Sequence, residues 1–581
     1  MKLNEKLIVG ASIGECIHVA GVLNFFQVAE SVGYKTAFLG PAVKIKDVLE
    51  FADEHNAGIV AISYRLTPEV GKQHLEDFMK AVHDGGKRPR KFLLGCLPEL
   101  AEHAKKMEFF EAIFTGGETI DEVMPVLGLP GGRGDGPRAY PRDLIGRIAY
   151  KAPYPILRAH FGLPTMQETL DGIAAIAEAS VLDVISIAPD QAAQEWLQRP
   201  EIIATKSGGA GGAPIRSRGD LEAIFRRSQR GNHPLLRIYS GTQDLVANAA
   251  LFVETIHNAW AAVPIFWYSE LDGRGPSMLE DAIREHFDAI RWHAERGVPV
   301  EVNDPHQWGL RMAPDHVVVA DAYLVARVAK SLGVRTYIQQ LMFNTPAGVT
   351  FKMDLARVLA MIEIVQPLID DKFNILKETR AGLGYLSPRE ETAIGQLCAS
   401  TMVQMSVRPH IMHVVSYSEG DHAARPGDVI KSCKIIGRIV QDSLHGLPEL
   451  SADPVVQRRK NELLEEAVIL LAGISKRAES ACIGEPYSSP GFLAGLVIDG
   501  VLDAPQLKGG KAGKGAIHAK LIDGACRCVD SEGMPLAEID RLKALGISTS
   551  KPDAASARGL LAAKARGNGT CSSTNRGSEQ R

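Results

Sequence analysis

Residues 263–306 read VPIFWYSELDGRGPSMLEDAIREHFDAIRWHAERGVPVEVNDPH. VPIFWYSELD (263–272) and VPVEVNDPH (298–306) are apolar runs that end in polar residues, with a helical pattern between them. Strand, helix, strand in that order is the unit of a parallel sheet, because parallel neighbours need a crossover connection. The same unit recurs on both sides. PILRAHFG (155–162), DVISIAPD (183–190) and LLRIYSGTQD (235–244) precede it; RTYIQQLMFN (335–344), MVQMSVRPH (402–410) and MHVVSYSEGDHA (412–423) follow. Helical stretches of about 12 to 20 residues separate most of these runs, as a closed (β/α)8 TIM barrel requires. The barrel is expected over residues 151–480.

The first 128 residues show shorter alternation. KLIVGAS (6–12), KTAFLG (35–40), GIVAISY (58–64), KFLLG (91–95) and EAIFTGG (111–117) are read as strands, with amphipathic helices between them. Short apolar strands of this kind are covered on both faces, so residues 1–128 are expected to form a flavodoxin-like doubly wound domain. Residues 129–150 begin LPGGRGDGPR and are read as a linker. Residues 481–549 are read as a small extension, and 550–581, rich in Ser, Ala, Arg and Gly, as a disordered tail.

Bulk composition narrows the function. The chain of 581 residues is 45% hydrophobic and 23% charged, with a formal net charge of −4. No electrostatic case exists for nucleic acid or an anionic membrane. The N-terminus lacks a long apolar stretch, and no uncharged run reaches the ~18 residues of a spanning helix. The eight cysteines form no CxxC pair. The expectation is a reduced cytoplasmic protein without a zinc ribbon.

The barrel strands end in polar residues, where such folds build active sites. Asp190, Gln243 and Asp244 are followed by Tyr268, Glu270 and Asp272, then Asn303, Asp304 and His306. Further along stand Gln339, Gln340 and Asn344, then Arg408 and His410, then Ser418, Glu419, Asp421 and His422. The competing reading of the acids and amides is that they cap helices. The loop TKSGGAGGAPIRSRGD (205–220) holds Gly208, Gly209, Gly211 and Gly212 ahead of Arg216 and Arg218. Backbone amides with guanidiniums suit a carboxylate or phosphate; a plain flexible loop is the alternative.

Residues 16–21, Cys-Ile-His-Val-Ala-Gly, lie where the first strand meets the first helix. They resemble the cobalamin-binding motif DxHxxG, in which the histidine is the lower cobalt ligand. His18 and Gly21 match it, and Ser63 matches the serine beside the buried nucleotide tail. Cys16 stands where the family has Asp, leaving Glu15 as the other candidate to orient the imidazole. Gly95-Cys96 stands where the family has a Gly pair, and Gly116 and Gly117 follow the last strand.

The barrel segments around 267–305 and 414–435, with LVIDGVLDAPQL (496–507) and IDGACRCVDSEGMPL (522–536), are similar to the epsilon subunit of the glutamate mutase (methylaspartate mutase) family. The first domain is similar in layout to that family's small sigma subunit. The resemblance implies an adenosylcobalamin-dependent isomerase that performs a radical 1,2-rearrangement on a small carboxylate-containing substrate. It implies His18 as cobalt ligand, with Cys16, Gly21, Ser63, Gly95, Gly116 and Gly117 around the cofactor. Tyr268, Asp272, Asp304, His306, Glu419 and Asp421 become the catalytic candidates, and Arg216, Arg218 and Gln340 the substrate-binding ones. Asp272 replaces a family tyrosine, and an apolar residue near Ala262 replaces the acid that binds glutamate, so glutamate itself is not the expected substrate. Homo-oligomerisation and a reactivating chaperone are the expected partnerships. The alternatives are a corrinoid-dependent methyltransferase and a non-catalytic cobalamin-binding protein.

Overall fold

In the computed structural model, residues 4–86, 90–116, 118, 120–128, 140–205, 212–551, 553 and 559–561 are described. Gly117, Gly208, Gly209, Gly211, residues 129–139 of the expected linker and most of the expected tail lie outside them. The chain divides into two units, Met1–Ala139 and Tyr140–Arg581.

The first unit is a five-stranded parallel sheet. Its strands are β1 (Asn4–Ser12), β2 (Lys35–Phe38), β3 (Ala57–Tyr64), β4 (Lys91–Cys96) and β5 (Ala112–Phe114), in the order β2-β1-β3-β4-β5. The central strand β3 is buried along its whole length, which is why its sequence is continuously apolar. Successive residues face opposite layers. Val9 and Val60 join the core under Phe78 and Leu100, whereas Ile8 and Ile59 pack with Val22 and Phe26.

The second unit is a ring of eight parallel strands: β6 (Ile156–Phe161), β7 (Val184–Ile187), β8 (Leu235–Ile238), β9 (Ala261–Ala262), β10 (Val300–Val302), β11 (Thr336–Phe343), β12 (Asn374–Ala381) and β13 (Ile411–His413). The ladder runs β8-β7-β6-β13-β12-β11-β10-β9. Its two ends meet where the Ala259 N–H donates to the Leu236 carbonyl at 2.8 Å and the Ser240 N–H to the Ala262 carbonyl at 3.4 Å. The sheet thus comes round to a barrel, as the repeating unit led us to expect.

Two strands differ from the sequence reading. Residues 402–410 are not a strand: Glu390–Met405 is a helix, and Arg408 and His410 follow it at the entrance to β13. They lie at the N-terminal end of the barrel, where the Ile156 N–H bonds the His410 carbonyl. The seventh strand is β12, NILKETRA, whose buried Glu378 and Arg380 break the apolar pattern that marks the other strands. The fourth strand, β9, is two residues long and ends before Val263, so Tyr268 and Asp272 sit on the loop after it.

Side chains fill the barrel in layers. At the floor, Ile156, Val184, Leu235, Trp260, Ile338, Leu376 and Ile411 form one apolar cluster, joined by Leu144 of the helix Leu144–Lys151. Two residues further along the strands, the inward positions are polar and buried: Arg158, Ser186, Arg237, Glu301, Gln340, Glu378 and His413. The helix Asp315–Ser331 is buried from Asp315 to Ala329. The extension packs around it: the helix Pro490–Ile498 lies against the helix Leu279–Glu295, β15 (Ala525–Val529) of the hairpin with β14 (His518–Ile522) touches the helix Asp315–Ser331, and Glu538 of the helix Glu538–Ala544 bonds His316. Among the described residues no helix is long and apolar enough to cross a membrane.

Candidate functional site

In the first unit, four of the residues singled out for cofactor binding line one cavity. Gly21, Ser63, Gly95 and Gly116 surround a space of about 260 Å³, together with Phe25, Arg65, Leu94 and Phe114. The cavity opens beside the C-terminal ends of the strands, where open α/β sheets bind ligands. A side chain added at Gly21 would meet nothing within 4 Å. The loop that carries His18 is tied to the sheet by two hydroxyls: Ser12 Oγ donates to the His18 carbonyl at 2.8 Å and Ser63 Oγ at 3.5 Å. The His18 side chain itself is exposed.

Cys16 is buried, and its thiol lies 3.8 Å from His18 Nδ1. It therefore occupies the position of an orienting group, although a thiol is a weaker hydrogen-bond partner than a carboxylate. Glu15 does not take that role; its carboxylate bonds His74 Nε2 at 3.0 Å.

In the second unit, the polar layer of the barrel is a set of buried ion pairs. Arg158 Nε donates to Glu378 Oε1 at 2.9 Å, and Arg237 Nη2 to Glu301 Oε2 at 2.7 Å. Trp260 Nε1 also donates to Glu301, at 2.7 Å, and Gln340 Nε2 at 2.9 Å. Burial pushes both carboxyls up. At Glu301 the Arg237 and Arg158 guanidiniums, with the indole and Arg237 donors, outweigh it and hold the group below its ordinary range. At Glu378 burial, reinforced by the nearby Glu301 carboxylate, outweighs the Arg158 guanidinium and the group is raised.

Above this layer stand His160, Tyr239 and Arg380, with His413 edge-on to His160 at 4.5 Å between ring centres. Tyr239 Oη donates to His160 Nε2 at 2.9 Å, and Arg158 Nη1 approaches the same nitrogen at 3.1 Å. Burial, reinforced by neighbouring guanidiniums, holds His160, His306 and His413 well below the usual imidazole range. All three are neutral at pH 7. Burial also lowers Arg380, whose side chain has no acid against it among the described residues.

The candidates taken from strand ends divide into two groups. Tyr268, His306, Glu419 and Gln340 come to the mouth or interior of the barrel. Tyr268 is buried with the Arg274 guanidinium 4.2 Å from its ring centre, and burial raises its hydroxyl. Glu419 is half-buried, bonds the Ser416 N–H at 2.9 Å, and has its carboxyl raised by desolvation against the pull of the Arg380 charge. The remaining candidates hold the scaffold. Asp304 accepts the Ile265 and Phe266 N–H groups, both at 2.8 Å, and burial raises its carboxyl. Asp272 accepts Arg274 Nε at 2.6 Å and the Tyr268 N–H at 3.3 Å, which ties its own loop together. Arg216 pairs with Asp190, with Nη1 to Oδ1 at 2.9 Å, while Asp190 caps the helix Gln191–Trp196. Arg218 makes an exposed pair with Glu254 at 2.6 Å, and Asp421 an exposed pair with His422 at 2.9 Å.

Sequence reasoning missed Arg158, His160, Arg237, Tyr239, Glu301, Glu378, Arg380 and His413. Their signal is spacing: R158-x-H160, R237-x-Y239 and E378-x-R380 place polar groups on one face of otherwise apolar strands. In a barrel that face is the interior.

No family model and no curated protein matches the chain. Two solved structures are weakly similar to it. A rubisco-like protein from Alicyclobacillus acidocaldarius is 15% identical with a TM-score of 0.31, over 55% of this chain and 70% of that one. A 2,3-dimethylmalate lyase of the PEP mutase/isocitrate lyase superfamily is 12% identical with a TM-score of 0.26, over 58% of this chain and 96% of that one. Likeness at this level carries no argument about the reaction.

Proposed function

We propose that this chain is an adenosylcobalamin-dependent isomerase that rearranges the carbon skeleton of a small carboxylate-containing substrate. The observation that carries the reading is the convergence of Gly21, Ser63, Gly95 and Gly116 on one cavity, with the His18 loop bonded to Ser63 beside it. The strand order β2-β1-β3-β4-β5 is that of flavodoxin-like folds, which supports the same assignment.

The residues present fit the cofactor. The space next to Gly21 admits a nucleotide tail, and the Ser63 hydroxyl is at hand to bond it. The Cys16 thiol at Nδ1 leaves Nε2 of the exposed His18 as the cobalt-binding nitrogen. A neutral imidazole is a suitable ligand for a mid-row transition metal. When bound, adenosylcobalamin supplies a radical that removes hydrogen from an unactivated carbon.

The barrel's part is to bind and orient. Its ion-paired layer forms a rigid polar base under the mouth, which holds Tyr239 and His160 in place. The neutral histidines neither donate nor take a proton readily near pH 7, which suits a site where hydrogen moves as an atom. Tyr268 is held in a left-handed backbone conformation, φ 63°, on a loop fixed by Asp272 and Asp304. That fixed loop walls the mouth.

The test is titration of the full chain with hydroxocobalamin, wild type against Gly21→Leu. Because Gly21 faces open space, the variant folds but fills the cavity. Binding to wild type with at least tenfold loss in the variant supports the reading; equal binding, or none to either, refutes it.

A further inference from the structure

We infer that Arg65 anchors the phosphodiester of the ligand held in the first unit's cavity, so that this chain selects a corrinoid with its nucleotide tail over one that lacks the phosphate. The inference rests on the proposed function for the identity of the ligand.

Most of the cavity wall is apolar. Phe25 and Phe114 line it with their ring centres 5.7 Å apart, and Leu93, Leu94 and Val123 continue the same surface. Such a wall suits a flat aromatic base and offers nothing to a charge. Among the lining residues only Arg65 and Glu118 are charged.

Glu118 is engaged by its own loop. Its Oε1 accepts from the Thr115 N–H at 2.6 Å and the Thr115 hydroxyl at 2.8 Å, and its Oε2 from the Gly116 N–H at 2.8 Å. Burial pushes this carboxyl up, but the three donors outweigh it and hold the group down at about 2.

Arg65 has no such partner. It follows β3 directly, and its backbone N–H donates to Cys16 Sγ at 3.3 Å, which ties it to the loop that carries His18. The side chain is half-buried. Among the described residues it makes no hydrogen bond, and no carboxylate oxygen lies within 4.0 Å of the guanidinium. A Cβ added at Gly116 would stand 3.9 Å from Arg65 Nη2, so the guanidinium reaches the loop after β5. Because β4 lies between β3 and β5, the side chain passes over the C-terminal end of β4, at the rim of the cavity.

A guanidinium without an acid can give two parallel N–H bonds to one pair of phosphate oxygens. An apolar pocket with a cation at its rim matches a nucleotide: the base enters and the phosphate stays at the edge. In cobalamin the phosphodiester joins the base and its ribose to a side arm of the corrin. A tail that fills the pocket therefore brings its phosphate to the rim.

The test crosses two corrinoids with Arg65 variants of the full chain, read by absorbance titration. Hydroxocobalamin carries the phosphodiester; diaquacobinamide lacks phosphate, ribose and base. Arg65→Met should weaken hydroxocobalamin roughly ten- to hundredfold, as loss of a charge-assisted pair does, and Arg65→Lys should restore part of the loss. Diaquacobinamide should bind wild type at least about tenfold more weakly than hydroxocobalamin, and Arg65→Met should weaken it no further. Lys46→Met, which removes an exposed cation paired with Glu50 on the same unit, should change neither affinity. Circular dichroism of each variant separates lost binding from lost folding. Three results overturn the inference and leave the cofactor assignment standing: unchanged hydroxocobalamin affinity in folded Arg65→Met, an equal loss for both corrinoids, or equal binding of the two corrinoids to wild type. Binding of neither corrinoid overturns both; Arg65-dependent binding of adenosine monophosphate in that case would mark the cavity as a plain nucleotide site.

Discussion

Glu301→Gln should destabilise the barrel by about 3–5 kcal/mol, because it leaves the Arg237 guanidinium charged, buried and unpaired. The carboxylate accepts three hydrogen bonds, from Arg237, Trp260 and Gln340, at 2.7, 2.7 and 2.9 Å. An amide turned to accept from Arg237 points its NH2 at another donor, so at least one of the three is lost. The assay follows from the sequence: all five tryptophans, at 196, 260, 267, 292 and 308, lie in the second unit. Tryptophan fluorescence in urea therefore reports the barrel unit alone. With a slope of about 3 kcal/mol/M, the midpoint should fall by roughly 1 M or more. Replacing both partners, in Arg237→Met/Glu301→Leu, should cost less than the single change, because no charge is left behind. A single variant within about 1 kcal/mol of wild type, or a double variant worse than Glu301→Gln, would refute the view that the pair holds the polar layer in place.

Asp304→Ala should cost about 2–4 kcal/mol, since it strips the buried Ile265 and Phe266 amides of their acceptor; the emission of neighbouring Trp267 and Trp308 should shift with it. Docking of the extension should weaken in acid. Burial pushes Glu538 up, but His316 and Arg541 outweigh it and hold the carboxyl down at about 2, against a reference value of 4.5. A depressed carboxyl contributes stability that is present above its unfolded value and lost as pH falls through the folded one. About 3 kcal/mol should therefore disappear between pH 4.5 and 2, and Glu538→Gln should remove that dependence. Limited proteolysis of residues 481–549 across this range is the readout.

Much of the architecture was legible because the barrel strands are apolar and short, with polar ends. Two failures have one cause. NILKETRA lacks the apolar pattern of a barrel strand because Glu378 and Arg380 are buried in a charged interior. MVQMSVRPH shows a strand-like alternation because Val403, Met405 and Val407 are buried, although they belong to the end of a helix and the turn after it. The site divided on similar lines. Asp272 lies on the loop after β9 and Asp304 opens the helix after β10, yet their oxygens serve backbone amides and an arginine, which sequence cannot distinguish from facing a substrate. The residues that line the first unit's cavity are small residues and a hydroxyl near strand ends, which the topology itself brings together. Arg380 and the histidines around it were hidden because their roles depend on which strands are neighbours.

The absorption spectrum of hydroxocobalamin bound to wild type and to His18→Ala tests the central claim most directly. Wild type should replace the lower base with imidazole, and the alanine variant should lack that spectral signature while remaining folded. Identical spectra in the two proteins would contradict it.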